Sequence, residues 1–217
     1  MDRLVIFGAQ NVYTAELFET LRRLDVEIVA GVLTGGPEWS MSGITCVLQE
    51  DEVSADLTAV PAATPHIVPG TRKAIVAQAR EKGFRRFANI FDPTSIIASS
   101  VVTGMGIYVN AGSVIGATAK IDDHAYINRS VSIGHHTLIE EYGTVGPGVT
   151  VASNCAVGRG AFIGAGAVIA PSCVVGANSV VGAGTVVIKD VPDNTIVVGN
   201  PARVIKEGVQ GYGDTPV

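Results

Sequence analysis

Aromatic residues make up only 6% of this 217-residue chain and charged residues only 16%; there are three cysteines and one tryptophan. Each shortage excludes something. A net charge of −5 gives no basic surface on which to grip nucleic acid or an anionic membrane. No apolar run reaches the ~18 residues that a membrane span needs, because Gly, Asp, Lys and Arg interrupt every stretch. Met1-Asp2-Arg3 ahead of the short Leu4–Phe7 run makes a poor secretory signal. Cys46, Cys155 and Cys173 lack metal-ligand spacing, so no metal is expected, and their usage suits a reducing cytoplasm. A hydrophobic fraction of 47% argues against disorder, and 26 glycines without a period of three exclude collagen.

What is present is unevenly distributed. Most lysines and arginines, and Trp39, precede about residue 92; beyond it Val, Ile, Gly, Ala and Ser dominate. The shift predicts a small unit over 1–92, a second over 93–207 and a tail over 208–217.

The second unit repeats. Steps of six from Val109 meet Ile115, Ile121, Ile127 and so on to Val187, always a β-branched aliphatic. A strict hexapeptide period is the signature of a parallel β-helix. Four places after each aliphatic sits a mostly small residue, such as Ser113, Ala119, Thr137, Cys155 or Cys173, which predicts a second inward position near a tight corner. Three places after it, Gly or Asn recurs, as at Gly112, Gly148, Asn154 and Gly184; both tolerate positive φ and can turn that corner. One hexapeptide is then one short strand and one corner. Three make a triangular coil of 18 residues, and successive coils stack at ~4.8 Å. Cys155 and Cys173, 18 apart, read as small core filler. The phase admits no inserted loop between Val109 and Val187, and Pro192 ends it.

The first unit reads as a small Rossmann-like α/β fold with a parallel sheet. Leu4–Phe7 predicts a strand, Val12–Leu24 an amphipathic helix, Val26–Val32 a second strand, Thr71–Lys82 a helix stopped by Gly83, and Arg86–Ile90 a third strand. The turn Gly8-Ala9-Gln10-Asn11 precedes the first helix, where backbone N–H groups favour phosphate, although only one glycine of a dinucleotide fingerprint is present. Gly35-Gly36-Pro37 is a second loop at the same sheet end.

The sharpest cluster is Ile133-Gly134-His135-His136-Thr137. Its phase puts Ile133 and Thr137 inward and both histidines at an outward corner. An imidazole titrates near neutrality and suits proton abstraction. The alternative is a pair of solvated surface histidines. Their neighbours one coil away, Ala117 with Thr118 and Ser153 with Asn154, add no third metal ligand. His124, also at a corner, reads as a surface residue, and His66 falls in a loop.

Tyr126-Ile127-Asn128, Gly134-His135, Pro147-Gly148-Val149 and Val198-Gly199-Asn200-Pro201-Ala202-Arg203, together with the short α/β unit, resemble bacterial nucleotide-sugar acetyltransferases of the sialic-acid, bacillosamine and perosamine pathway type. The resemblance spans roughly residues 1–207. It implies a left-handed β-helix, acetyl-CoA as donor, a homotrimer and active sites between subunits. Residue by residue, it implies His135 as general base, Asn128 in the acceptor pocket, and the Ser153 backbone N–H facing the thioester oxygen. Ala183 and Gly184 match a wall beside the pantetheine arm. Lys189 and Arg203, by charge and position, are candidates for the CoA phosphates. Gly8, Gln10, Asn11 and His136 are candidates for binding the substrate. Where the family usually has a carboxylate directly after the base, this chain has His136, so Glu140 or Glu141 is the candidate to orient the ring.

The expected activity is direct, metal-free transfer of an acetyl group to a 4-amino sugar carried by a nucleotide. Acetylation of a sugar hydroxyl and a non-catalytic structural β-helix are the competing readings.

Overall fold

The computed structural model describes residues 2–35, 44 and 46–217. Its first part is a four-stranded sheet of β1 (Arg3–Phe7), β2 (Glu27–Leu33), β3 (Val47–Gln49) and β4 (Ala62–Ala63), all parallel, in the order β3-β2-β1-β4. Both faces of β1 are covered, which is why Leu4, Val5, Ile6 and Phe7 can all be apolar. Leu4 and Ile6 pack with Leu17 and Leu21 of α1 (Thr14–Arg23). Val5 and Phe7 face the other way, onto Ile75, Val76 and Ala79 of α2 (Pro69–Glu81). Pro69 suits the first turn of α2, where its missing N–H is no loss.

The expected third strand at Arg86–Ile90 is corrected. Phe87 makes a single bridge to Ala62, whereas Ile90–Phe91 pairs with Tyr108–Val109. The sheet's remaining places go instead to β3 and to β4, which is two residues long. Phe91 lies 18 residues before Val109, so the hexapeptide pairing claims it.

From Ile90 the chain winds as a left-handed parallel β-helix with three faces. The first face has eight strands, from Ile90–Phe91 to Arg203–Glu207; the second has six, from Ile96–Ile97 to Val186–Val187; the third has five, from Val102–Thr103 to Val174–Val175. Pairs are 18 residues apart, as in Lys120 with Leu138. Every β-branched residue of the series Val109 to Val187 is at most 2% exposed, and the small residues Ser113, Ala119, Thr137, Cys155 and Cys173 line the same interior. No loop interrupts the series, as expected. Beyond it, residues 188–194 leave the phase, and Thr195–Val198 then returns to the first face and turns back antiparallel onto Arg203–Glu207.

The corners explain the period. Every sixth residue from Gly106 to Gly184 has positive φ, including His124, His136, Tyr142 and Asn154. A side chain in that conformation costs ~1–2 kcal/mol. The backbone recovers it by bonding to the coil below, for example His136 N–H to the Ala117 carbonyl (3.1 Å) and Asn154 N–H to the His135 carbonyl (3.0 Å).

The α/β unit packs on the first face. Asp92 accepts hydrogen bonds from Thr20 (2.8 Å) and from Arg23 Nε (2.9 Å). Burial raises its pKa, but the bonds from Thr94, Arg23 and Thr20 outweigh that and hold it at about 2. On the other side, Arg72 of α2 is fully buried. It donates to the carbonyls of His124 (2.7 Å), Tyr142 (2.6 Å) and His66, and to Thr144 Oγ1 (3.0 Å). Burial lowers its pKa to about 9, so it stays charged at neutral pH.

Candidate active site

The edge between the second and third faces carries His135 and His136, held by the strands Ser132–Ile133 and Leu138–Ile139. Gly134 keeps the coil tight there. A Cβ on it would lie 2.5 Å from the Ser153 backbone nitrogen in the coil above. Both imidazoles are exposed. Their Nδ1 atoms are 2.9 Å apart, with ring planes at 88°. No carboxylate among the described residues is hydrogen-bonded or ion-paired to either ring. Ser153 follows one coil above, and its N–H has no acceptor among the described residues. Imidazole and unpaired N–H together offer a base and an oxyanion donor on one edge.

Glu141 is not brought to this place. It sits at the next corner, on the edge between the third and first faces, while the Glu140 carboxylate accepts the Arg159 N–H (2.8 Å). The reason is the period itself: six residues move the chain to another edge. His124 is the second correction. It occupies a corner, but that edge is covered by the α/β unit, so the residue is 1% exposed. Its ring meets Phe87 edge-on (4.9 Å) and stacks on Tyr142 (5.2 Å).

Asn128 lies on the edge between the first and second faces, 6% exposed. Its Oδ1 accepts from Arg129 N–H (2.8 Å) and Asn110 Nδ2 (3.4 Å), and Asn110 Nδ2 also reaches Glu16 of α1 (3.3 Å). With Oδ1 so engaged, Nδ2 is the end left to meet an acceptor. Higher on the same edge, Ala183 and Gly184 are exposed. A Cβ on Gly184 would meet nothing within 4 Å, so its φ of +65° is what selects glycine within this chain. Lys189 and Arg203 line one cleft of about 440 Å³, with Ile188, Asp190, Val197 and Val204.

Gly8, Gln10 and Asn11 come together in a second cleft, of about 250 Å³, with Thr34, Gly35, His66, Thr71 and Gln78. Gln10 Nε2 donates to Thr34 Oγ1 (2.8 Å) and to the Gly35 carbonyl (2.5 Å), tying the two loops together. Asn11 is spent on its own turn: it donates to the Gly8 carbonyl (2.6 Å) and accepts from Tyr13 N–H (2.9 Å). Gly36 and Pro37 lie outside the described residues. His66, which sequence spacing did not single out, lines this cleft; burial lowers its pKa, and its Nδ1 accepts the Val68 N–H (3.2 Å).

These places do not meet within one chain. The α/β unit covers the first face, and the His135 edge is the one edge that the first face does not border. No group of three or more potential metal ligands occurs among the described residues, and no helix among them is long and apolar enough to cross a membrane.

Residues 154–189 match the family model described as bacterial transferase hexapeptide (six repeats). The chain has the repeat and the fold of the hexapeptide-repeat acetyltransferases. A perosamine N-acetyltransferase from Caulobacter crescentus, solved with CoA and GDP-perosamine as a variant with one histidine replaced by asparagine, is similar at 27% identity and a TM-score of 0.83. The match covers 95% of this chain and 98% of that one. The acetyltransferase domain of PglB from Neisseria gonorrhoeae FA1090, solved with acetyl coenzyme A, shares the fold at 23% identity and a TM-score of 0.84, over 94% and 98% of the two chains. WeeI from Acinetobacter baumannii AYE shares it at 24% and 0.81, over 94% and 100%. No curated protein matches the sequence.

Proposed function

We propose that the chain is an acetyl-CoA-dependent N-acetyltransferase of a nucleotide-linked 4-amino sugar, with His135 as general base, working as a homotrimer. The observation that carries this is an imidazole on an open edge whose Nδ1 is engaged and whose Nε2 has no partner among the described residues. Similarity to an enzyme solved with CoA and GDP-perosamine supports the substrate class.

The sugar amine attacks the thioester carbonyl. His135 Nε2 takes the amine proton as the C–N bond forms. The Ser153 N–H stabilises the oxyanion, a contribution of about 3–4 kcal/mol in well-placed cases. The C–S bond then breaks, and CoA leaves as the thiol once the thiolate takes up a proton. Lys189 and Arg203 hold CoA phosphates, and Ala183 and Gly184 leave room for its pantetheine arm. The cleft of Gly8 and Gln10 takes the nucleotide, with Asn128 donating Nδ2 to the acceptor. Because that cleft and the His135 edge lie apart in one chain, the complete site joins two copies.

Thiol release from acetyl-CoA, measured with a panel of nucleotide-linked amino sugars and their hydroxyl counterparts, tests the reading and separates N- from O-acetylation. Turnover that His135→Ala abolishes is the expected result. Full activity in His135→Ala rejects the mechanism.

A further inference from the structure

We propose that His136 is a positioning residue for His135: its Nδ1 accepts the Nδ1–H of His135 and so keeps the Nε2 lone pair of His135 open to the amine. The inference rests on the reading of His135 as base and assigns the group that prepares it.

Two Nδ1 atoms 2.9 Å apart can share one proton. Two N–H groups cannot face each other there, and two lone pairs would repel, so one ring donates and the other accepts. If His136 donated, the proton of neutral His135 would sit on Nε2 and the ring could abstract nothing. If His135 donates, Nε2 carries the lone pair. The hydrogen bond at one ring nitrogen thereby sets the chemistry of the other. Among the described residues no other group is bonded to either ring, and the nearest carboxylates in sequence, Glu140 and Glu141, belong to another edge.

The backbone holds the acceptor in place. His136 is the left-handed residue of its corner, at φ 57°, and its N–H is fixed to the Ala117 carbonyl. The ring centroids are 5.1 Å apart and the two Nδ1 atoms 2.9 Å, so the nitrogens lie between the rings and face each other edge to edge.

The test has a spectroscopic arm and a kinetic arm, both on the full-length protein. Histidine ¹⁵N spectra separate tautomers, and the chain has four histidines to assign. In the wild type, neutral His135 carries its proton on Nδ1. His136→Gly suits the positive φ, so the corner persists, but the acceptor is gone. There the His135 tautomer becomes mixed, and kcat falls about 10- to 100-fold with KM for both substrates within about twofold. His136→Glu restores an acceptor and returns kcat to within about threefold of wild type, whereas the donor-only His136→Lys does not. An unchanged His135 tautomer in His136→Gly, an unchanged kcat, or a His136→Lys as active as His136→Glu overturns the proposal. Full activity of His135→Ala is a different failure: it removes the base itself, while the spectra still report whether the two rings share a proton.

Discussion

His124 lies face to face with Tyr142, the ring centroids 5.2 Å apart and the planes within 17°, under the α/β unit. Arg80 Nη2 is 3.4 Å from its Nε2; Arg72 and Asp123 are the other charges that act on it, and its Nδ1 has no hydrogen-bond partner among the described residues. Burial, then the Arg80 cation, lowers its pKa to about 4. The folded protein therefore keeps this ring neutral where the unfolded chain, near 6.5, takes a proton. Stability from this source is fully present above about pH 6.5 and is lost as pH falls through about 4, by ~3 kcal/mol in all. His66, also lowered by burial, adds in the same direction. Asp92, held at about 2, adds its loss only in stronger acid. Urea denaturation between pH 7 and 4.5 measures the slope, and His124→Phe should flatten most of it.

Arg72 ties helix α2 to the β-helix by donating to main-chain carbonyls from three segments. Removing the cation strands those buried acceptors, and breaking a buried charged network of this kind costs about 3–5 kcal/mol. Arg72→Met should lower the melting temperature by roughly 10 °C. Arg72→Lys should recover only part, because one ammonium cannot reproduce a planar fork that bonds several carbonyls at once. A melting curve unchanged in Arg72→Met would show that the two parts hold together without this strut.

The contrast between what the sequence disclosed and what it concealed has physical causes. From Val109 to Val187 each residue's place follows from its phase, because each coil repeats the last; the buried aliphatics and the left-handed corners appear where the period puts them. The α/β unit has no such repetition. A strand as short as Ala62–Ala63 carries no alternation to detect, so β4 is not legible in the sequence, whereas Arg86–Ile90 reads as a strand. The rule that corners face water holds only where nothing covers the edge. It describes His135 and fails for His124. Arg72 resembles any charged residue on a helix until its partners are known. The His135 edge is legible as a candidate because two imidazoles at a corner are costly to explain as packing, whereas His66 joins its cleft through loop geometry alone.

Two glycines separate close packing from backbone conformation. A Cβ on Gly134 would fall 2.5 Å from the Ser153 nitrogen and 2.6 Å from the Ala152 carbonyl carbon, both in the next coil's backbone. Neither can give way without opening the stack. Gly134→Ala should cost about 1–3 kcal/mol, as overpacked sites do, and should also shift Ser153 relative to His135, so kcat falls with stability. Gly148, at φ +66°, has nothing within 4 Å of a built Cβ. Gly148→Ala should cost only the left-handed penalty of ~1–2 kcal/mol and leave kcat unchanged. Thermal melts alongside turnover numbers compare the two; equal kinetic effects would mean that the tight approach at Gly134 has no bearing on the site.

The separation of edges makes a prediction about mixtures. His135 stands between the second and third faces, Asn128 between the first and second. If one copy supplies the imidazole and the next supplies the amide, two inactive chains can repair each other. His135→Ala keeps Asn128, and Asn128→Ala keeps His135. In a closed ring of three, every mixed trimer contains one junction with both residues intact. Random refolding of equal amounts makes about three quarters of trimers mixed, each with one working site in three, so activity should return to about one quarter of wild type. Each variant alone should stay near background, and mixing without subunit exchange should restore nothing. No recovery after verified exchange would place both residues in the same subunit's site, whereas full activity of Asn128→Ala on its own would remove Asn128 from it.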